Sequence, residues 1–329
     1  MHTRVLPLVP ASLARAVALL RAGSVVAFPT ETVYGLGARA DDPAAVRRIF
    51  EAKGRPATNP LIVHVADATS ARELADGFPS AAERLAAAFW PGPLTLVLKR
   101  RAGVVADDVV AGGDTVAVRV PASAAARVLL EACRLPLAAP SANRSTTLSP
   151  TTAEHVVKSL DGRIPLVLDA GPCARGIEST IVDVTRSPAV LLRPGAISIE
   201  ALRSCVDIVD PGTIVVSLDK PAPAPGTSSR HYAPRAKLIL VAPAALPDEL
   251  SRRRSSGLSV GAISFMPEHF ALPAVEILPD DPDGFAAGLY ATLHRLDDAG
   301  CSEILMTEPP QTPAWLAVRD RLLRATRSE

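Results

Sequence analysis

Residues 24–56 read SVVAFPTETVYGLGARADDPAAVRRIFEAKGRP, and the reading of Gly35-Leu36-Gly37-Ala38-Arg39-Ala40 within them decides the fold. The letters match a Gly-x-Gly-x-x-Ala dinucleotide fingerprint, which works only where it joins a strand directly to a helix. Here Ser24-Val25-Val26-Ala27-Phe28 reads as a buried strand stopped by Pro29, residues 30–39 follow as a loop, and no helix begins before Asp42-Pro43. That context is wrong for a nicotinamide site and makes Gly35 and Gly37 a turn that uses glycine's conformational freedom. Asp42 suits a helix N-cap and Pro43 the first helical position. Ala45, Val46, Ile49 and Phe50 recur at helical spacing until Gly54 and Pro56 end the helix. Lys53 and Arg55 therefore sit at a helix exit.

Working outward, helices are expected at 12–21 and 80–90, and strands at 61–65, 94–98, 115–120, 137–140, 166–169, 180–184 and 190–192. In Thr115-Val116-Ala117-Val118-Arg119-Val120 the valines alternate, so Thr115, Ala117 and Arg119 share the other face of the strand. The first domain, 1–205, reads as a mixed α/β sheet with helices around a concave site. From 206 to 236 the texture is that of a linker, with Pro221-Ala222-Pro223-Ala224-Pro225-Gly226 at its centre. Strands at 238–241, 260–265, 275–278 and 304–307 then alternate with helices at 245–254, 283–299 and 314–325. That pattern predicts a smaller, Rossmann-like parallel α/β domain over 237–329.

The net charge of +1 conceals an asymmetry: residues 1–205 carry 23 Lys+Arg against 18 Asp+Glu, and the remainder 12 against 16. An anionic ligand belongs to the first half, and the excess is too small for a surface that coats nucleic acid. Four cysteines without Cys-x-x-Cys spacing, and six histidines without His-x-x-x-His, suggest neither a disulfide framework nor a metal site. A reducing cytoplasm fits, and no apolar stretch approaches the length of a membrane span.

No Gly-x-x-x-x-Gly-Lys-Ser/Thr loop occurs, so an ATP site here is not a P-loop. Lys53 and Arg55 can converge on one phosphate chain as a point charge and a fork, or can simply complement a helix dipole. Ser141-Ala142-Asn143 places a hydroxyl and an amide after a strand end, either to meet phosphate or to form a plain turn. His64 is a core histidine or a ligand. Arg119, flanked by valines, needs an anionic partner, borne by protein or ligand.

These segments in this order resemble the YrdC-type L-threonylcarbamoyladenylate synthase family. The match runs through Pro29-Thr30-Glu31-Thr32-Val33-Tyr34-Gly35-Leu36-Gly37, Lys53-Gly54-Arg55, Asn59-Pro60-Leu61-Ile62-Val63-His64 and Trp90-Pro91-Gly92-Pro93-Leu94-Thr95. It continues through Val118-Arg119-Val120-Pro121, Ser141-Ala142-Asn143, Ser179-Thr180-Ile181-Val182-Asp183 and Leu192-Arg193-Pro194-Gly195. His231-Tyr232-Ala233-Pro234 and the α/β tail resemble the longer, two-domain form.

The resemblance implies a nucleotidyltransferase that makes threonylcarbamoyl-AMP and pyrophosphate from L-threonine, bicarbonate and ATP with Mg2+, for the threonylcarbamoyladenosine modification of tRNA. It implies Thr32, His64, Arg119, Ala139 and Ser179 around threonine. Lys53, Arg55, Asn59, Thr115, Ser141, Asn143, Ser149, Arg193, His231 and Tyr232 would hold ATP, with Lys53, Arg55, Ser141 and Asn143 carrying the catalysis. No residue is assigned to a metal. A tRNA-modifying transferase complex would follow downstream, and direct tRNA binding stays open. Two positions depart from the family's habit: Glu31 stands where Asp is common, and Thr227-Ser228-Ser229 replaces a more basic run. A rival reading is an RNA-binding or ribosome-assembly module of the same fold; another is carbamoyl transfer from carbamoyl phosphate.

Overall fold

A computed structural model describes residues 2–210, 231–272 and 275–327. Eleven strands form one mixed sheet among the described residues: β1 (Arg4–Pro7), β2 (Val26–Pro29), β3 (Tyr34–Arg39), β4 (Ile62–His64), β5 (Leu94–Lys99), β6 (Thr115–Arg119), β7 (Leu137–Ala138), β8 (Leu166–Asp169), β9 (Thr180–Asp183), β10 (Ala189–Arg193) and β11 (Ile208–Val209). Their spatial order is β1-β8-β2-β3-β7-β4-β6-β5-β9-β10-β11. The second sheet, β12 (Lys237–Val241), β13 (Val260–Ser264), β14 (Val275–Ile277) and β15 (Glu303–Thr307), is parallel throughout, in the order β12-β15-β13-β14. The alternation of short β-branched runs with helical stretches foretold this second unit. The proline-rich centre of the expected linker lies outside the described residues.

Tyr34–Arg39, expected within a loop, folds as a strand antiparallel to Val26–Pro29, with Gly37 opposite Val26 and Gly35 opposite Phe28. Neither glycine has positive φ. Gly37 is needed because a Cβ there would stand 2.7 Å from the Phe28 ring, so close approach, not backbone freedom, selects it. The helix Pro43–Lys53 is capped as expected: the Asp42 carboxylate accepts from the amides of Ala44 and Ala45, and Gly54 leaves the helix at φ 61.

Register arranges the inner face of the large sheet. His64 pairs with Arg119, Arg119 with Thr95, Thr95 with Ile181, and Ile181 with Arg193. Paired residues share a face, so this is one row across β4, β6, β5, β9 and β10. One row further, Ile62, Ala117 and Val97 pair in sequence and reach Asp183, and the first three pack with Ile181 and Leu192 as an apolar patch. A register shift between Leu191 and Arg193 lets one extra residue into β10 and re-aims its end. On the opposite face Val63, Leu94, Leu96, Val118 and Val182 enter the main core beneath the helices. The second unit is not loosely tethered: Val33, Leu148 and Ile177 share a buried cluster with Tyr232, Phe285, Tyr290 and Leu322.

Candidate active site

The polar row ends in a cleft lined by Thr30, Thr32, Arg55, His64, Arg119, Ala139, Ser141, Glu178, Ser179, Arg193, His231 and Tyr232, with Val33 and Ile62 supplying apolar wall. Its two ends differ in chemistry. At one end the Arg119 guanidinium donates to Glu31 Oε1 at 2.6 Å, to Thr32 Oγ1 at 2.9 Å and to the Gly92 carbonyl at 3.2 Å. The anionic partner demanded by its valine flanks is thus borne by the protein. Burial pushes the Glu31 carboxyl up, but the Arg119 charge and hydrogen bond outweigh burial and leave it below the usual range. Hydroxyls pair nearby, Thr30 with Thr32 and Thr95 with Ser179, both at 2.8 Å. His64 is pushed down to about 3 by burial and by Arg119, so it is neutral at physiological pH, with Nδ1 lacking a partner.

At the other end lie three buried cations. Lys53, at 2 % exposure, donates through Nζ to the Ser141 carbonyl at 2.6 Å, to the Asn143 carbonyl, and to Asn143 Oδ1 at 3.3 Å. Arg55, at 7 %, donates to the carbonyls of Asn59 and Pro60 at 3.3 and 3.0 Å. Arg193 holds the Ser179 carbonyl from Nε and Nη2 at 3.1 and 2.9 Å. Burial, with Arg55 beside it, lowers Lys53 well below the lysine range; burial brings Arg55 down to about 10 and lowers Arg193 as well. No carboxylate pairs with Lys53 or Arg55 among the described residues. A residue that merely complements a helix dipole would sit in solvent; these do not.

His231 and Tyr232 close the cleft from the linker's end. Tyr232 is buried with φ 63, a backbone cost on the order of 1–3 kcal/mol for a bulky residue. The ring is held against His231, with centroids 4.0 Å apart, and against Tyr290 at 5.9 Å. Its neighbours' backbone is tied to both units, with the Ala233 amide donating to the Thr146 carbonyl and the His231 amide to the Arg324 carbonyl. Among the described residues five buried polar side-chain atoms have no hydrogen-bond partner. Four are Asn59 Oδ1, His64 Nδ1, His231 Nδ1 and the Tyr232 hydroxyl, all in or beside this cleft. Buried polar atoms are normally satisfied, so this concentration marks a place built for a polar guest.

Of the residues expected at the site, Thr32, Arg55, His64, Arg119, Ala139, Ser141, Ser179, Arg193, His231 and Tyr232 line the cleft, Lys53, Asn59 and Ser149 touch residues that do, and Asn143 stands behind them in contact with Lys53. Thr115 is not brought there. It lines a neighbouring hollow with Lys99, Asp183 and Thr185, across the apolar row from Arg119. Glu178 also lines the cleft and is not among the residues expected there. Its carboxylate accepts from Ser149 Oγ at 2.5 Å, from the Tyr290 hydroxyl at 3.1 Å and from Arg321 Nε at 2.8 Å. Nothing in the one-dimensional pattern of the helix Leu316–Ala325 announces Arg321.

A sheet face with an anion-accepting cleft, covered by a second α/β unit, defines a two-part α/β ligand-binding class. The chain belongs to the Sua5/YciO/YrdC family. The model of that family, described as telomere recombination, matches residues 18–195, and a second model, described as the threonylcarbamoyl-AMP synthase C-terminal domain, matches 197–326. The threonylcarbamoyl-AMP synthase of Pyrococcus abyssi is 42% identical over 320 residues, 94% of this chain and 93% of the relative. That of Bacillus subtilis is 39% identical over 320 residues, 95% and 92%. The crystal structure of P. abyssi Sua5 complexed with L-threonine superposes with a TM-score of 0.91 at 41% identity, covering 98% of both chains.

Proposed function

We propose that this chain is a threonylcarbamoyl-AMP synthase: an ATP-using nucleotidyltransferase that joins L-threonine, bicarbonate and ATP into threonylcarbamoyl-AMP with release of pyrophosphate. The observation that carries the reading is the pair of buried cations Lys53 and Arg55, without a carboxylate partner among the described residues, beside a pocket of hydroxyls, a neutral imidazole and the Arg119–Glu31 pair. Relatives of nearly equal length that bear that name support it, as does a neighbouring structure that holds L-threonine.

In this reading residues 1–209 are the catalytic domain, since Ile208–Val209 completes the large sheet beyond the boundary expected at 205, 210–236 the linker and 237–329 the accessory domain. Lys53, Arg55 and Arg193 face the phosphates with Ser141, Asn143, Ser149 and Asn59. The apolar row of Ile62, Ala117 and Val97 leads toward Thr115 and suits the nucleoside. Thr32, His64, Arg119, Ala139 and Ser179 surround threonine. Arg119 has five N–H donors, three already engaged by Gly92, Thr32 and Glu31, which leaves two for the substrate carboxylate. Neutral His64 and Thr32 suit its hydroxyl.

Chemically, the threonine amine adds to bicarbonate with loss of water, giving an N-carboxylate. One of its oxygens attacks the α-phosphorus while the bond to the β-phosphate oxygen breaks and pyrophosphate leaves. No protein nucleophile is needed. The residues hold the reactants together and set positive charge where the leaving group becomes more negative. Mg2+ enters with ATP as the phosphate-bound ion. The Glu178 carboxylate is engaged by Ser149, Tyr290 and Arg321, and no group of three or more His, Cys, Asp or Glu gathers among the described residues.

Free space within the cleft is only about 50 Å3, well below the roughly 300 Å3 of small ligand pockets, so the His231-Tyr232 strap must shift for ATP to enter. Burial of the cations favours a small anion over RNA as their partner. The product would pass to a tRNA-modifying transferase complex in the cytoplasm, and no helix among the described residues is long and apolar enough to cross a membrane. Product identification by mass spectrometry after incubation with ATP, bicarbonate and an amino-acid mixture tests the reading. A threonine adduct of AMP is expected; salt-dependent RNA binding with no adenylate formed would overturn it in favour of an RNA-binding module.

A further inference from the structure

Arg321 lies in the second unit, yet every one of its contacts leads to the phosphate end of the cleft or secures the residue itself. It is 1 % exposed. Its Nε donates to Glu178 Oε2 at 2.8 Å, its Nη2 to the Pro194 carbonyl at 3.0 Å, and its Nη1 to Asp320 at 2.7 Å. Its guanidinium carbon stands 5.0 Å from the centroid of the Tyr232 ring. Asp320 is itself held by Arg324, so the fork is fixed from behind.

Each forward contact ends on a residue bonded to a group assigned above to the nucleotide, or on such a group itself: Glu178 is bonded to Ser149, Pro194 to Arg193, and Tyr232 is met directly. Glu178 accepts the Ser149 hydroxyl at 2.5 Å and precedes Ser179, whose carbonyl receives Arg193. Pro194 follows Arg193 directly. Tyr232 is the strap. Glu178 is also the one carboxylate among the residues that line the cleft, and a negative charge there opposes an incoming triphosphate unless a cation offsets it. Arg321 does so, with the Tyr290 hydroxyl as a second donor.

We propose that Arg321 is a positioning residue for the ATP phosphates, supplied by the C-terminal unit. It offsets Glu178, through Glu178 it fixes the Ser149 hydroxyl, and through the Pro194 carbonyl it fixes the strand end that carries Arg193. The second unit is then part of the nucleotide site and not an appendage to it. The proposal rests on the reading of Ser149, Arg193 and Tyr232 as nucleotide-facing.

The full-length chain decides the matter by titration with ATP and, separately, with L-threonine, together with steady-state pyrophosphate release. Arg321→Met should raise the KM and Kd for ATP about tenfold or more, because the Glu178 charge is then unopposed beside the incoming triphosphate, while threonine affinity and the circular dichroism stay unchanged. Arg321→Lys, which keeps the charge but not the fork, should fall between. Adding Glu178→Gln to Arg321→Met should recover part of the ATP affinity, a rescue that simple interface glue would not show. Tyr290→Phe should give a smaller rise in the same direction and stands in if Arg321→Met does not fold.

Unchanged ATP binding in the folded variants, or equal losses for ATP and threonine, would overturn the proposal. Wild-type protein that binds no ATP would remove the nucleotide reading and this inference with it, a result visible before any variant is made.

Discussion

The two ends of the cleft treat arginine and lysine in opposite ways. Arg119 has its carboxylate built in, since Glu31 lies 2.6 Å away with 11 % of its side chain exposed. Lys53 and Arg55 are buried as deeply but rest on carbonyl oxygens. A pre-paired cation is stable and keeps its geometry whether or not substrate is present. A cation without a counter-charge costs desolvation that an anionic guest can return. The threonine end is therefore a fixed template, and the phosphate end is one whose electrostatics the nucleotide completes.

The widest split between the ends should appear in stability. Arg119→Ala strands the Glu31 carboxylate in a buried place and should cost roughly 3–5 kcal/mol, the usual penalty for breaking a buried pair. Lys53→Met, of similar volume, removes a buried ammonium with no carboxylate partner and should leave stability level or raise it. Urea denaturation of the two variants checks this. Equal destabilisation would erase the distinction.

Activity should divide the other way in kind. Lys53→Met, still folded, should lose threonine- and bicarbonate-dependent pyrophosphate release by about a hundredfold to a thousandfold, the scale of one lost electrostatic donor in a preorganised site. Threonine binding should remain. Activity retained in both Lys53→Met and Arg55→Met would take the phosphate role away from this end.

Why one end was easier to foresee than the other follows from how each is built. Alternation in Thr115-Val116-Ala117-Val118-Arg119-Val120 put Arg119 on a face with Thr115, and its valine flanks demanded an anion; pairing with Glu31 then satisfied a local rule. The Asp42-Pro43 start and Gly54 stop of the helix that delivers Lys53 were legible for the same reason. Long-range register was not. It separates Thr115 from the cleft by an apolar row, and it makes Tyr34–Arg39 a strand because Phe28 packs over Gly37, a contact nine residues apart that no periodicity encodes. Glu178 and Arg321 meet only through the packing of the two units, over 143 residues of chain.

Substrate choice tests the template end more gently. Val33, Ile62 and Ala139 give the cleft apolar wall near His64 and Thr32, so a methyl group can be read there. Serine in place of threonine should lose about 1–3 kcal/mol in kcat/KM, the value of one methyl in an apolar pocket. Competition kinetics with both amino acids measure it, and equal turnover would mean that the wall does not contact the side chain.

The smallest effect carries the sharpest sign. Burial, with repulsion from Arg55, lowers Lys53 well below its ordinary 10.5, and burial, with a smaller repulsion from Arg193, brings Arg55 to about 10. Bound triphosphate would stabilise the charged forms and raise both. Between the depressed value of free Lys53 and its raised value in the complex, the complex holds more protons than the free protein. ATP binding then takes up protons, and affinity falls as pH rises through that window. Threonine binding should draw no such uptake from the protein groups at its end, since His64 at about 3 stays neutral and Glu31 stays ionised. Calorimetry at mildly alkaline pH, in two buffers of different ionisation enthalpy, reads the proton count directly. Proton release with ATP, or the same uptake with threonine, would show that the two ends do not differ in the way their partners suggest.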